Sequence, residues 1–178
     1  MKALKEIKAG KTFKVAGIEF IKVKETEEGT IAISKDCVFD STYGENNNLH
    51  ESKILKRLQE EVLPKIEEAV GADNVLEFET DLTTLDGLKP YEPLKSKISL
   101  PTLDFFRYRE NVSKDVFEEY NPFCWWWLAT PESAKPHSEP WWSVCVAPSG
   151  YIDGNRFNCI NGVRPVLFFV SDISVSEE

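Results

Sequence analysis

The groups best suited to chemistry in this chain of 178 residues are thiols and imidazoles, and they are few. There are four cysteines, Cys37, Cys124, Cys145 and Cys159, and two histidines, His50 and His137. No two cysteines are spaced C-x-x-C, and neither histidine lies close to one in sequence. Structural zinc sites draw their ligands from tighter pairs, so no metal or cofactor is expected here. The ordinary state for such cysteines is a buried free thiol in a reducing compartment.

Aromatic residues form the second set. Trp125, Trp126 and Trp127 are consecutive, and Trp141-Trp142 follows the polar, proline-punctuated stretch 134–140. Side chains alternate along a strand, so Trp126 must point away from Trp125 and Trp127. Tryptophan has too much surface for all three to stay in water, and at least two belong in a core. Trp141 and Trp142, at a loop edge, are better placed to touch a ligand.

These residues need a scaffold, and the pattern supplies one. Thr12–Val15, Ile18–Lys24 and Thr30–Ile33 largely alternate apolar with polar residues around turns at Ala16-Gly17 and Glu27-Glu28-Gly29. That predicts an antiparallel meander with one face buried. Ile54, Leu55, Leu58, Val62, Ile66 and Ala69 recur at helical spacing, between Ser52 or Glu51 at the start and Gly71 at the end. Pro64 falls inside this run, where it should kink or split the helix. Residues 74–100 look irregular, with short strands at Val75–Phe78 and Ile98–Leu100. Two short helices are expected after them, Leu103–Arg109 and one following Ser113. Beyond Asn121 strands return at Trp125–Ala129, Ser143–Ala147, Arg156–Ile160 and Val163–Val170. Turns are expected at Pro148-Ser149-Gly150, Asp153-Gly154-Asn155 and Asn161-Gly162. Pro165 requires a bulge or a sheet edge.

Bulk properties narrow the partners. The formal net charge is −9, which opposes nucleic-acid binding because phosphates need a basic face. No apolar run approaches a membrane span, and the first residues lack a signal-peptide core. The chain is expected to be one domain over residues 1–170 with a polar, fraying tail at 171–178.

The segments Trp126-Trp127-Leu128-Ala129-Thr130-Pro131, Val144 through Gly150-Tyr151-Ile152, and Gly162-Val163-Arg164-Pro165 form an ordered series. It resembles the signature of a DUF6273-type domain, a family of gut Firmicutes and their phages. Ala9–Phe20 is similar to that family's opening hairpin, Ser52–Leu63 to its helix, and Ser99–Leu103 to its Ser-Leu segment. The resemblance spans roughly residues 8–170. It implies an α+β, C-type-lectin-like fold, with a mixed antiparallel sheet, two flanking helices and a long loop-rich region. That architecture is shared with formylglycine-generating enzymes and with the variable proteins of diversity-generating retroelements. It implies that Thr12–Lys24 pairs with Val163–Val170. It assigns Trp126, Trp127, Gly162 and Arg164 structural roles, Arg164 toward a buried carboxylate or backbone carbonyls near the closure. It places Tyr151, Asp153, Asn155, Arg156, Phe157 and Asn158 where retroelement-diversified relatives vary their binding surface.

The function expected from this is a non-enzymatic recognition or structural module. Its leading setting is a phage particle, as a head-decoration, fibre, tail or baseplate protein, and otherwise the cytoplasm. Its partners would be other virion proteins or a second copy of itself, and a host cell-surface protein or glycan. Two alternatives belong to other classes. A thiol enzyme would use Cys145 with Cys159, as the copper-binding pair of formylglycine-generating enzymes suggests, or a cysteine with His137. A calcium-dependent lectin would need paired carboxylate and amide oxygens, which Asn121-Pro122-Phe123 and Glu139-Pro140-Trp141 do not supply.

Overall fold

The computed structural model describes residues 1–107, 120–133 and 142–177. The chain starts with β1 (Lys2–Ala3), β2 (Thr12–Val15), β3 (Ile18–Glu25), β4 (Thr30–Ser34) and β5 (Phe39–Ser41). After the helix come β6 (Val75–Leu76), β7 (Phe78–Thr80), β8 (Leu94–Ser96) and β9 (Ile98–Ser99). The last third supplies β10 (Trp126–Pro131), β11 (Trp142–Val146), β12 (Ile152–Arg156), β13 (Asn161–Val163), β14 (Val166–Phe169) and β15 (Ser174–Glu177). The fold is α+β, with one 18-residue helix and three mostly antiparallel sheets.

The largest sheet runs β1-β15-β2-β3-β4-β14-β6, with β9 also on β14. Ala16 (φ 51°) and Gly17 (φ 78°) both take positive φ, as a two-residue hairpin turn of matching twist requires. The meander is buried on both faces, not one. Phe20 and Ile21, on opposite faces of β3, are both inaccessible. Lys22, which breaks the apolar run, is buried because its Nζ donates to Leu4 O at 3.0 Å and pairs with Glu25. The closing pairs also differ from the expected ones. Val166–Phe169 pairs with β4, and the first hairpin closes instead on β15. Residues 171–177 therefore do not fray: Ile173 and Val175 alternate into the core and hold β15 between β1 and β2.

The helix begins at Lys53, where the Ser52 hydroxyl accepts from Leu55 N at 2.9 Å. It is α-helical over Lys53–Arg57 and Leu63–Val70, with a π-helical turn at Leu58–Val62 between them. That turn answers the proline problem: the bonding shifts just ahead of Pro64, which sits in the first turn of the second stretch where a missing N–H costs little. Ile54, Leu58 and Ile66 face a core that also holds the Phe13–Phe20–Phe169 ring cluster. A second flanking helix is absent among the described residues, because only this stretch carries several turns of apolar spacing. Residues 75–99 form short strands, and Asp104–Arg107 is a single turn. The helix expected after Ser113 lies outside the described residues.

The second sheet runs β12-β11-β10-β13-β5 and is mixed, since β10 and β13 are parallel with Trp126 opposite Gly162. It too is covered on both sides. Trp127, Ala129 and Cys145 face the core under the helix, while Trp126, Leu128, Val144 and Val146 face a second cluster with Ile21, Ile33 and Val166. A strand buried on both faces carries a continuous apolar run, which is why Trp126 and Trp127 stand side by side; Trp125, just before the strand, is half-buried. The third sheet is the hairpin-like pair β7-β8.

Candidate functional site

β12 ends the mixed sheet, so one side of it has no strand partner among the described residues. It carries Asp153, Asn155 and Arg156 of the expected ligand-contact residues, with Tyr151 just before it and Phe157 and Asn158 just after. Tyr151 is exposed and sets its ring edge-to-face on Trp125, with centroids 5.7 Å apart. Asp153, Arg156 and Asn158 are exposed, and Asn155 is half-buried with its Nδ2 donating to Asn161 Oδ1 at 3.3 Å. Phe157 packs against the core, and its carbonyl accepts from Tyr43 N at 2.8 Å. Trp142 is half-buried as the first residue of β11. Trp141 and His137 lie outside the described residues. Phe123 and Ile160, not expected at a site, are strongly exposed apolar side chains flanking β10 and β13. Beside Ile160, the Asn161-Gly162 pair pointed only to a turn, and nothing in the sequence marked Phe123.

The turn expected at Asp153-Gly154-Asn155 does not occur. β12 runs straight through it, pairing Asp153 with Cys145 and Gly154 with Val144. Glycine is there for space: a Cβ on Gly154 would come within 2.6 Å of the Glu132 carboxylate and 3.1 Å of the Trp142 ring. The Glu132 carboxyl is held above the usual range, by burial first and then by Asp153 and Asp86, and its Oε2 has no hydrogen-bond partner among the described residues. Asn161-Gly162 likewise lies in a strand, β13.

Beneath Gly162 the chain gathers a thiol pair that sequence spacing did not suggest. Cys37, from the loop between β4 and β5, and Cys124, two residues before β10, place their sulfurs 3.2 Å apart. A Cβ on Gly162 would sit 2.3 Å from Cys37 Sγ and 3.1 Å from Cys124 Sγ. Arg164 lies beside them with no exposed surface. Its Nε donates to Ser34 O at 2.9 Å, and its guanidinium stacks on the Trp126 ring at 4.6 Å. Nη1 and Nη2 have no hydrogen-bond partner among the described residues. Burial lowers the Arg164 pKa to about 10, which still leaves it a cation at neutral pH. Burial pushes the Cys37 thiol up, the hydrogen bond with Cys124 adds to that, and the Arg164 charge opposes it.

Cys145 is buried, and its thiol is pushed up to about 12 by burial and then by Asp153. No hydrogen bond joins it to Cys159 among the described residues, and all four cysteines are free thiols. His50 Nε2 contacts Glu92 O at 2.8 Å and no cysteine among the described residues. Asn121, in the Asn-Pro-Phe segment, is occupied: its Oδ1 accepts from Trp126 Nε1, and its Nδ2 donates to Ala147 O and Pro148 O. Among the described residues no cluster of His, Cys, Asp and Glu is arranged to hold a metal, and no helix is long and apolar enough to cross a membrane.

The class these features define is an α+β domain with a mixed sheet, whose edge strand β12 carries exposed side chains and whose strand β10 is buried. No family model matches the chain, and no curated protein or solved structure is significantly similar to it.

Proposed function

We propose that this chain is a non-enzymatic recognition module that presents the rim of its mixed sheet to a surface ligand. One observation carries this. From Tyr151 to Ile160, Tyr151, Asp153, Arg156, Asn158 and Ile160 are exposed on a segment backed by strands that are almost wholly buried. Solvent-facing side chains on a rigid scaffold can change without cost to the fold, and this is how binding surfaces are commonly built. Tyrosine and arginine add contact area and charge at such a surface.

A C-type-lectin-like domain on a phage particle is the setting we favour, and its support is the sequence resemblance. Oligomerisation with itself or with other particle proteins would turn weak single contacts into firm attachment.

The test is binding of a fluorescent, artificially tetramerised form to intact Gram-positive cells. Saturable binding should fall at least about tenfold in a Tyr151→Ala, Asp153→Ala, Arg156→Ala, Asn158→Ala variant, a loss typical of disrupted contact residues. Equal binding by both forms would move the site elsewhere, and absence of binding to any cell surface would end the reading. Loss of binding on chelation of calcium would replace it with the lectin alternative.

A further inference from the structure

We infer that Cys37 and Cys124 form a reversible dithiol–disulfide couple seated under Gly162 and beside Arg164. The inference is independent of the recognition reading and concerns the opposite end of the sheet's burial range. Three observations carry it. The sulfurs already lie 3.2 Å apart, and closing to a bond of about 2.05 Å needs only about 1 Å of side-chain movement. The pocket that holds them exists because residue 162 has no side chain: any Cβ would overlap both sulfurs. The neighbouring guanidinium is fully buried and keeps two nitrogens without partners among the described residues, so it can stabilise a thiolate while the pair reacts.

Cys37 can be reached. Cys37 lines a groove of about 510 Å³ between the first hairpin and the helix, shared with Lys14, Glu19, Arg57 and Lys65. Its natural co-reactant is a small soluble disulfide such as oxidised glutathione, admitted by this groove. One cysteine thiolate attacks the reagent, forming a mixed disulfide and releasing one glutathione thiolate. The second cysteine then displaces the other glutathione. The balance is two protein thiols plus one reagent disulfide giving one protein disulfide plus two glutathione thiols. Two electrons pass to the reagent, and both protons end on the released thiols. The new bond would tie two cysteines 87 positions apart, fastening the loop before β5 to the start of β10.

Native protein is incubated with oxidised glutathione, quenched by alkylation and mapped by peptide mass. The expected product lacks two hydrogens, joins the Cys37 and Cys124 peptides, and reverts with reduced glutathione. Its melting temperature should rise by about 5–10 °C, since a long loop is closed in the unfolded chain. Cys124→Ser should stop the reaction at a mixed disulfide on Cys37, the thiol that lines the groove. Arg164→Met, which removes the charge but fills its volume, should slow bond formation about tenfold, and Arg164→Lys should restore much of it. The inference fails if both thiols are alkylated after oxidation, if a bond forms only in denaturant, or if it maps to Cys145 and Cys159. Equal rates in the Met and Lys variants would remove Arg164 from the chemistry.

Discussion

Gly162 and Gly154 lie in the same five-stranded sheet, and each follows the kind of polar residue that marks a turn, yet neither is in one. What stands over each differs. Above Gly162 are two sulfurs on short side chains, wedged against each other and against a buried arginine. Above Gly154 are the far end of a glutamate and the edge of the Trp142 ring. One glycine makes room for a wedged sulfur pair; the other faces chiefly a carboxylate that can swing aside. Glycine in a strand records a close approach, and how rigid the approaching group is decides what the glycine is worth.

The largest expected effect follows directly. Gly162→Ala should destabilise the protein by about 2–4 kcal/mol, in the range for overpacking a tight interior. Rotating Cys37 Sγ away relieves only part of the clash, because Cys124 Sγ and Cys37 Cβ also lie 3.1 Å from the new methyl. Urea unfolding monitored by tryptophan fluorescence measures the loss. Cys37→Ala in the same background should recover a large part of it, and a Gly162→Ala protein as stable as the parent would show that the thiol pocket is loose.

The same contrast explains what could be foreseen from sequence. The first hairpin, the helix with Ser52 and Gly71 at its ends, and the burial of Trp126 and Trp127 follow from local periodicity and turn chemistry. The pairing of β14 with β4 does not, because which strand meets which is decided by burial across the whole core. Val163–Val170 looked like one strand, but Arg164 and Pro165 divide it between two sheets. Residues Asp153-Gly154-Asn155 carried a turn signature whose glycine in fact answers to Glu132, a partner more than twenty positions away. Cys37 and Cys124 meet for the same reason: no local pattern encodes a contact across 87 positions. The tail from Ser171 pairs into the large sheet, and its charged residues mask the alternation of Ile173 and Val175 that allows it.

Gly154→Ala should cost about 1 kcal/mol, less than its counterpart, because the Glu132 carboxylate can swing aside. In a Glu132→Ala background the same change should cost less, leaving only the 3.1 Å contact with the Trp142 ring, and alanine's restriction of the unfolded chain offsets part of that. A double-mutant cycle by urea titration gives the coupling directly, and additive effects would mean that the glutamate does not press on Gly154.

Charge sharpens the contrast between the two sheets. Burial pushes the Glu25 carboxyl up, but its bonds to Lys22, Ser171 and Thr30 outweigh this and hold it below the usual range. Glu132 is raised instead. The signs are opposite. Glu25 stabilises the fold above its unfolded pKa, near 4.5, and that contribution is lost as pH falls through the lowered folded value. Glu132 favours the folded state when protonated, so its contribution is lost as pH rises from about 4.5 through the raised folded value. Glu132→Gln should therefore raise stability at pH 7 by up to about 1 kcal/mol and remove that decline, while Glu25→Gln should lower stability at pH 7 and change little at pH 3. Melting temperature across pH 3–8 separates them, and parallel profiles would refute the opposed signs.

Asp153 should show the smallest effect. It is exposed on the edge strand, and its charge adds to the burial that already pushes up Glu132 and Cys145. Asp153→Asn keeps the acceptor that receives Gly154 N at 2.8 Å and removes only the charge. Stability at pH 7 should therefore change by less than about 0.5 kcal/mol, and toward stabilisation. The sharper readout is the Glu132 carboxyl, whose titration followed by NMR should move down toward the ordinary range. A rim that tolerates this change while Gly162 tolerates no methyl is what a variable surface on a fixed scaffold requires. If Asp153→Asn unfolds the protein as Gly162→Ala does, the two ends of the sheet are not distinct and the rim is part of the core.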